Sequence, residues 1–344
     1  MKCCHRLALT AAVALVAVVG ATAAFAAPAA LQGTTLTVYS GRAEAFAKPL
    51  FDLFTKDTGI EVEARYADSA TLAATILEEG SNSPADLFWG QEAGAVGAVS
   101  REGLLAVLPA EALARVPPRF RSPNRTWVGT SGRARVLAYN TEAVQTSELP
   151  KSSFALTASR WKGKVGLPPT NASFQAFVSQ MRVVYGDDRT RDWLLALKAN
   201  DVKFFSSSSQ VLAALARGEI EVGLVNHYYL TALKAQQPTA PVANHFFAKG
   251  DPGAMVNCAA VGILKTSQHA AAAQKLVAFL LSKRAQHHIA RGPGNAEYPL
   301  VQGVLPRPGL PKLGDVKGPD LNLGRLGREL PLTLRLLSEV GFTR

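Results

Sequence analysis

The sequence predicts an α/β protein built as two doubly wound lobes. Strand-like and helix-like segments alternate from Thr35 onward, a proline-rich middle interrupts them, and the same alternation then resumes. Strands alternating with helices produce parallel sheets covered on both faces. A length of 344 residues exceeds one ordinary core and suits two such units.

In chain order, TLTVYS (35–40) reads as a strand and EAFAKPLFDLFTKDTG (44–59) as an amphipathic helix stopped by Gly59. IEVEARYA (60–67) has the period of two of a half-buried strand, and SATLAATILEEG (69–80) reads as a helix capped by Ser69. ADLFWG (85–90) is the next strand and AGAVGAVSREG (93–103) the next helix. Four prolines break LPAEALARVPPRFRSPNRT (108–126), after which TWVGTSGRARVLAYN (126–140) is one long extended run.

The second alternation contains the strands GKVGLPPT (163–170), DVKFF (201–205) and IEVGLVN (220–226). Its helices are SFQAFVSQMRVVYG (173–186), TRDWLLALKAN (190–200) and SSQVLAALARG (208–218). AMVNCAAVGILK (254–265) looks like a return strand, followed by the helices QHAAAAQKLVAFLL (268–281) and SKRAQHHIARG (282–292). A Pro/Gly-rich wrapping segment, 306–323, leads to a final amphipathic helix over 325–340.

Residues 1–26 have a different character. Lys2 and Arg6 precede an uncharged, alanine-rich run that ends Ala24-Phe25-Ala26, the order of a secretory signal peptide cleaved after Ala26. Two of the three cysteines leave with it, so the exported chain keeps only Cys258 and has no internal disulfide. Cys258, in an apolar run, reads as a buried small hydrophobe. Removing Lys2 and Arg6 lowers the formal charge from +11 to +9. The remaining basic residues are scattered without aromatic interleaving, which argues against nucleic acid as a partner.

No nucleophile elbow, P-loop, H-E-x-x-H or C-x-x-C occurs, so no enzyme is predicted. A secreted hydrolase lacking a recognisable motif stays as a rival. Ligands of open α/β sheets bind beyond the carboxyl ends of strands. Four such ends carry polar or aromatic groups, at Tyr39–Arg42, Trp89–Glu92, Thr170–Ser173 and Asn226–Tyr229. The last contains two adjacent phenols from only seven tyrosines in the chain. In a regular strand they would face opposite ways, so they converge only if the chain turns there. Phenolate is a hard anionic donor, and a highly charged cation stabilises it against the proton.

NHYY after a strand, SGRARVLAYN, SPADLFW, VYSGR and GNAEYPL together resemble the periplasmic ferric-ion-binding proteins of ATP-driven iron importers, in order and over nearly the whole exported chain. The resemblance implies a class II periplasmic binding protein fold, with a hinge and a cleft between the lobes. Lobe one would cover 33–132 plus 261–305, and lobe two 133–260 plus 306–344. It implies Tyr139, Tyr228 and Tyr229 as ligands to Fe3+, and Arg42, Arg133 and Ser173 as the holders of a synergistic carbonate or bicarbonate. A guanidinium fork suits a planar oxyanion, and a helix beginning near Ser173 offers it backbone donors. Tyr39, Asn226 and Gln91 are expected to stand behind these groups.

Relatives with His after the first strand's turn differ from this chain, which has Ala43-Glu44 there, so Glu44 is an open donor candidate. The implied function is a monomeric periplasmic carrier that delivers ferric iron to an inner-membrane ABC permease. The alternative is a binder of another solute, such as thiamine, a polyamine or an oxyanion, in the same fold.

Overall fold

The structure is a computed structural model describing residues 33–343, and the expected leader with Cys3 and Cys4 lies outside them. The strands are β1 (Thr35–Ser40), β2 (Glu61–Tyr66), β3 (Leu87–Gly90), β4 (Val128–Asn140), β5 (Val165–Leu167), β6 (Lys203–Phe204), β7 (Val222–Asn226), β8 (Val242–His245) and β9 (Val256–Ile263). The helices are α1 (Glu44–Thr58), α2 (Ser69–Glu79), α3 (Ala93–Arg101), α4 (Ala110–Ala114), α5 (Ala172–Tyr185), α6 (Asp187–Ala199), α7 (Ser208–Ala216), α8 (Tyr229–Gln236), α9 (Ala270–Leu280), α10 (Lys283–Arg291) and α11 (Leu326–Glu339). The sheet order is β2-β1-β3-β9-β4-β7-β5-β6, with β8 paired to β4.

β1 runs parallel to β2 and β3 in the first half, and β5 parallel to β6 and β7 in the second. Between them the long strand β4 changes partners. It pairs antiparallel with β9 as far as Ala134, then from Arg135 onward with β7, while its last residues pair with β8. The expected α/β fold with a continuous crossing strand is present, and the antiparallel β4 and β9 make the sheet mixed rather than purely parallel.

Helix positions follow the apolar spacing. In α1, Ala47, Leu50, Phe51 and Phe54 recur at three- and four-residue intervals and are all buried, and Gly59 ends the helix in the left-handed region at φ 70°. Ser69 does not cap α2 as expected. It lies inside the first turn, and its Oγ accepts from the Gln91 backbone N–H at 2.8 Å, tying α2 to the end of β3. α8 and β8, which the sequence reading left unassigned, continue the chain from the tyrosine pair back to β4. Cys258 is fully buried in β9, and burial raises the pKa of its thiol.

α11 crosses α3 where glycine meets glycine. A Cβ on Gly327 would run into the Gly94 carbonyl, and one on Gly97 would lie 2.6 Å from the Gly324 carbonyl oxygen. The final helix therefore packs on a helix of the first half at backbone distance. On its other side it meets α5 of the second half, where Ser179 Oγ and Thr333 Oγ1 share a buried 2.7 Å hydrogen bond.

Candidate functional site

β7 carries an unbroken buried run, VGLVN, and the chain turns directly after it. Tyr228 already has helical angles, φ −72° and ψ −18°, and Tyr229 opens α8. That turn lets neighbouring side chains lie side by side: the two phenol rings stand 4.7 Å apart at 33°. The convergence expected of a strand-to-helix turn is present. Both residues are half-buried. The pKa of Tyr229 is raised, first by burial and then by the adjacent Tyr228.

Arg133, on β4, is the hub of the site. It is fully buried, donates through Nη2 to the Tyr228 hydroxyl and through Nη1 to the Gln91 carbonyl at 2.7 Å. Its Nε lies 3.6 Å from Glu297 Oε1, within ion-pair reach but too far for a hydrogen bond. Burial opposes the guanidinium charge, but Tyr228 and Glu297 outweigh it, and the pKa is raised. Asn226 Nδ2 faces both Ser173 Oγ at 3.1 Å and Tyr228 Oη at 3.2 Å. Ser173 lies in the first turn of α5, capped by Asn171 Oδ1, which accepts from the Ser173 N–H at 3.0 Å.

Arg133, Gln91 and Ser173 border a cavity of about 350 Å³, and the tyrosine pair reaches it through Tyr228, held by Arg133 and Asn226, rather than by lining it. Its walls include Gln91 and Glu92 from the first half, Asn171 and Ser173 from the second, and Gly327 and Leu330 of α11, with Arg133 between them. Glu92 caps α3, accepting from Gly94 N at 2.6 Å and Ala95 N at 2.7 Å, and burial raises its pKa.

Sequence reasoning missed Glu297 as a participant. It lies in the quoted GNAEYPL, and Tyr298 next to it exchanges backbone hydrogen bonds with Gly132 at 2.7 and 2.8 Å, which brings Glu297 against β4. Its buried carboxylate accepts from Arg42 Nη2 at 2.7 Å and from Ser131 Oγ at 2.5 Å. Burial alone would raise its pKa, but Arg42 and Arg133 prevail and hold it below the ordinary value. Arg42 itself is buried, stacks over Phe46 at 4.1 Å, and joins the hub through Glu297 rather than by lining the cavity. Its Nε and Nη1, and Arg133 Nε, are buried with no hydrogen-bond partner among the described residues.

Arg135, one strand period beyond Arg133, was also missed. Its Nη2 donates to the Ser173 carbonyl and its Nη1 to the Leu224 carbonyl at 3.3 Å, and burial lowers its pKa to about 10. His227 is buried, accepts at Nδ1 from the Ala134 N–H at 3.2 Å, and donates from Nε2 to the Ala296 carbonyl at 2.6 Å. It is a structural link between β4 and the segment before Glu297.

Two expected residues are not brought to this place. Tyr139 pairs across from Val222, four residues from Asn226 on an antiparallel partner, which separates them by roughly 13 Å along the strand. It packs against the apolar core at the opposite end of β7 from Tyr228, so the expected three-tyrosine cluster is corrected to a pair. Tyr39 donates its hydroxyl to Glu79 Oε1 at 2.8 Å, at the far end of α2 from the Ser69 wall of the cavity and about 15 Å along that helix. It does not stand behind the site. Gln91 does, though through its backbone carbonyl, and Asn226 does through its amide. Glu44 is exposed in the first turn of α1.

Two lobes meeting at crossing strands, with a polar cavity walled by both, define a class II periplasmic binding protein. The chain belongs to the bacterial extracellular solute-binding protein family, whose model it matches over residues 39–287. It is 32% identical over 320 residues to the Fe(3+)-binding periplasmic protein of Serratia marcescens, covering 92% of this chain and 94% of that one. Iron-bound HitA from Pseudomonas aeruginosa superposes with a TM-score of 0.83 at 35% identity, over 90% of this chain and 99% of that one. The Trichodesmium protein FutA (IdiA), solved with iron and citrate, gives a TM-score of 0.80 at 30% identity, over 90% and 100%.

Proposed function

We propose that this protein is an exported, monomeric carrier that captures ferric iron with the phenolates of Tyr228 and Tyr229 and delivers it to an inner-membrane ABC permease. The observation that carries this reading is the pair of convergent phenols, one of them held by a buried arginine that itself lines a cavity walled by both halves. Its relatives' names point the same way. A trivalent ion offsets the desolvation of the two phenolates and inverts their preference for the proton.

A small oxyanion, carbonate or bicarbonate, completes the ion's shell in this reading. Arg133, which lines the cavity, is the guanidinium that suits such a group, Arg42 is assigned to the anion's support through Glu297, and Ser173 and the α5 N-terminus add neutral donors. The anion supplies oxygen ligands and negative charge. Arg133 orients it, and also fixes the Tyr228 oxygen through its other nitrogen. Lobe one is assigned to 33–132 plus 261–305 and lobe two to 133–260 plus 306–344, so that both tyrosines come from lobe two and closure brings the Gln91 side onto them. The role is binding and hand-over in the periplasm, without catalysis.

The direct test is ferric titration of the purified mature chain in bicarbonate buffer. A visible phenolate-to-iron charge-transfer band should grow to one equivalent and bleach with a strong ferric chelator. A colourless protein that takes up no iron but tightly binds an organic cation would overturn the assignment.

A further inference from the structure

We propose that a second, positively charged depression, remote from the tyrosine pair in its lining, binds a phosphate-type oxyanion. It has a volume of about 270 Å³ and lies where the end of α3, the loop before β4 and the start of α11 meet. Arg101, Arg325 and Arg328 line it, together with the neutral groups Ser122, Asn124 and Asn322. No carboxylate lines it among the described residues.

Among the described residues, the arginines of this depression pair only with their own sequence neighbours. Arg101 and Arg328 reach the carboxylates of their own sequence neighbours, Glu102 at 3.2 Å and Glu329 at 3.4 Å, and both arginines are more than 45% exposed at the side chain. The Arg101–Glu102 pair is exposed on both sides, and such pairs are worth little and break readily. A second depression shares Ser122 and Pro123 with the first and is lined by Arg121 and Arg125, again with no carboxylate. Five arginines thus ring two adjoining hollows.

The backbone is specialised for this arrangement. Arg125 sits in the left-handed region at φ 63°, where a non-glycine side chain is disfavoured, and two hydrogen bonds hold it there. Its N–H donates to the Ser122 carbonyl at 3.0 Å, and its carbonyl accepts from the Leu108 N–H at 2.8 Å. The Gly97 and Gly324 contact lets α3 and the start of α11 approach closely enough to bring Arg101 and Arg325 to one rim. The first turn of α11 adds the partial positive charge of a helix N-terminus. Planar guanidinium groups favour tetrahedral and planar oxyanions over simple halides, and a phosphate group, free or esterified, fits the volume and the charge. The source is either free phosphate or the head group of an anionic phospholipid.

The experiment uses the mature chain, the Arg101→Gln/Arg325→Gln double variant and the charge-preserving Arg101→Lys/Arg325→Lys variant. Trp127 forms part of the hollow's wall, so its indole N–H resonance reports on occupancy there and not at the tyrosines. Inorganic phosphate is titrated at constant ionic strength, and co-sedimentation is measured with phosphatidylglycerol and with phosphatidylcholine vesicles. A saturable Trp127 shift, weakened tenfold or more by the Gln variant and restored in part by the Lys variant, establishes free phosphate as a ligand. Retention on phosphatidylglycerol vesicles alone, lost in the Gln variant, assigns the head group instead and also upholds the proposal. Neither a saturable shift nor vesicle retention, or binding that the Gln variant leaves unchanged, overturns it. Ferric loading is read separately, so failure here leaves the iron assignment standing.

Discussion

Glu297 and Arg42 are 255 residues apart in sequence and meet at 2.7 Å in the interior, and Arg133 lies 3.6 Å from the same carboxylate oxygen. A single buried anion therefore sits between two buried cations, one following β1 and one on β4. Removing it would leave both guanidinium groups without their counter-charge. Breaking a buried pair on one side typically costs about 3–5 kcal/mol. Glu297→Gln, nearly the same shape, is expected to lower the unfolding free energy in urea by that order. An unchanged midpoint would show that the carboxylate is not their charge partner.

The two tyrosines of the pair and the excluded third make opposite predictions. Tyr228→Phe and Tyr229→Phe keep the rings and remove the oxygens, so each should bleach or shift the ferric charge-transfer band. Each should also weaken iron binding by more than the roughly ten- to a hundredfold that groups behind a ligand control. Tyr139→Phe should load and colour like the parent. A loss of colour in that variant would place Tyr139 at the metal after all.

Iron affinity should rise with pH. Burial, reinforced by Tyr228, raises the pKa of Tyr229, so its hydroxyl is protonated at neutral pH before the ion arrives. Binding must expel that proton, which contributes about a tenfold gain in affinity per pH unit for Tyr229 alone, so the measured slope should be at least that steep. Competition against a chelator of known protonation behaviour, run between pH 6 and 8, measures the slope. A flat profile would mean that Tyr229 does not bind as phenolate.

Folding stability should fall on acidification for a separate reason. Burial lowers the pKa of His227 from 6.5 to about 4, so the native state holds it neutral while the unfolded chain takes up a proton below about pH 6.5. The stabilisation is fully present above the unfolded value and is lost as pH falls toward 4, a change on the order of 3 kcal/mol. His227→Gln should flatten that part of the stability profile of the iron-free protein. If parent and variant fall in parallel over this range, other groups govern the acid transition.

Gly327→Ala tests the contact between the final helix and α3. Its added Cβ would meet the Gly94 carbonyl, a backbone atom that cannot swing aside. Overpacking of this kind costs about 1–3 kcal/mol, and thermal unfolding should register it. Gly314→Ala serves as the comparison, because no atom lies within 4 Å of the position a Cβ would take and its φ lies outside the left-handed region.

Much of this architecture was legible in the order of residues. The strand over 35–40 and the helix ending at Gly59 follow from period and punctuation, and the final helix falls within a residue of its expected ends at Leu326 and Glu339. The paired phenols were legible as well, because a buried strand that stops just before two tyrosines forces the turn that unites them. Tyr139 misled because a motif carries no register. Only pairing with Val222 reveals that four residues of antiparallel strand separate it from the site. Tyr39 misled because nothing local indicates that its hydroxyl would turn to Glu79 at the opposite end of α2. Glu297 escaped because its partners lie 255 and 166 residues away, and a lone glutamate in a loop carries no pattern.

The change of partners along β4 has a mechanical consequence. Ala134 is the last residue of that strand to pair with β9 and Arg135 the first to pair with β7, so Arg133, which holds the Tyr228 oxygen, stands beside the pivot itself. Joint and grip are then nearly the same residue. In the proposed carrier, a rotation of one lobe against the other would re-aim that guanidinium, and a substitution chosen to loosen the pivot would alter the grasp on the cargo as well.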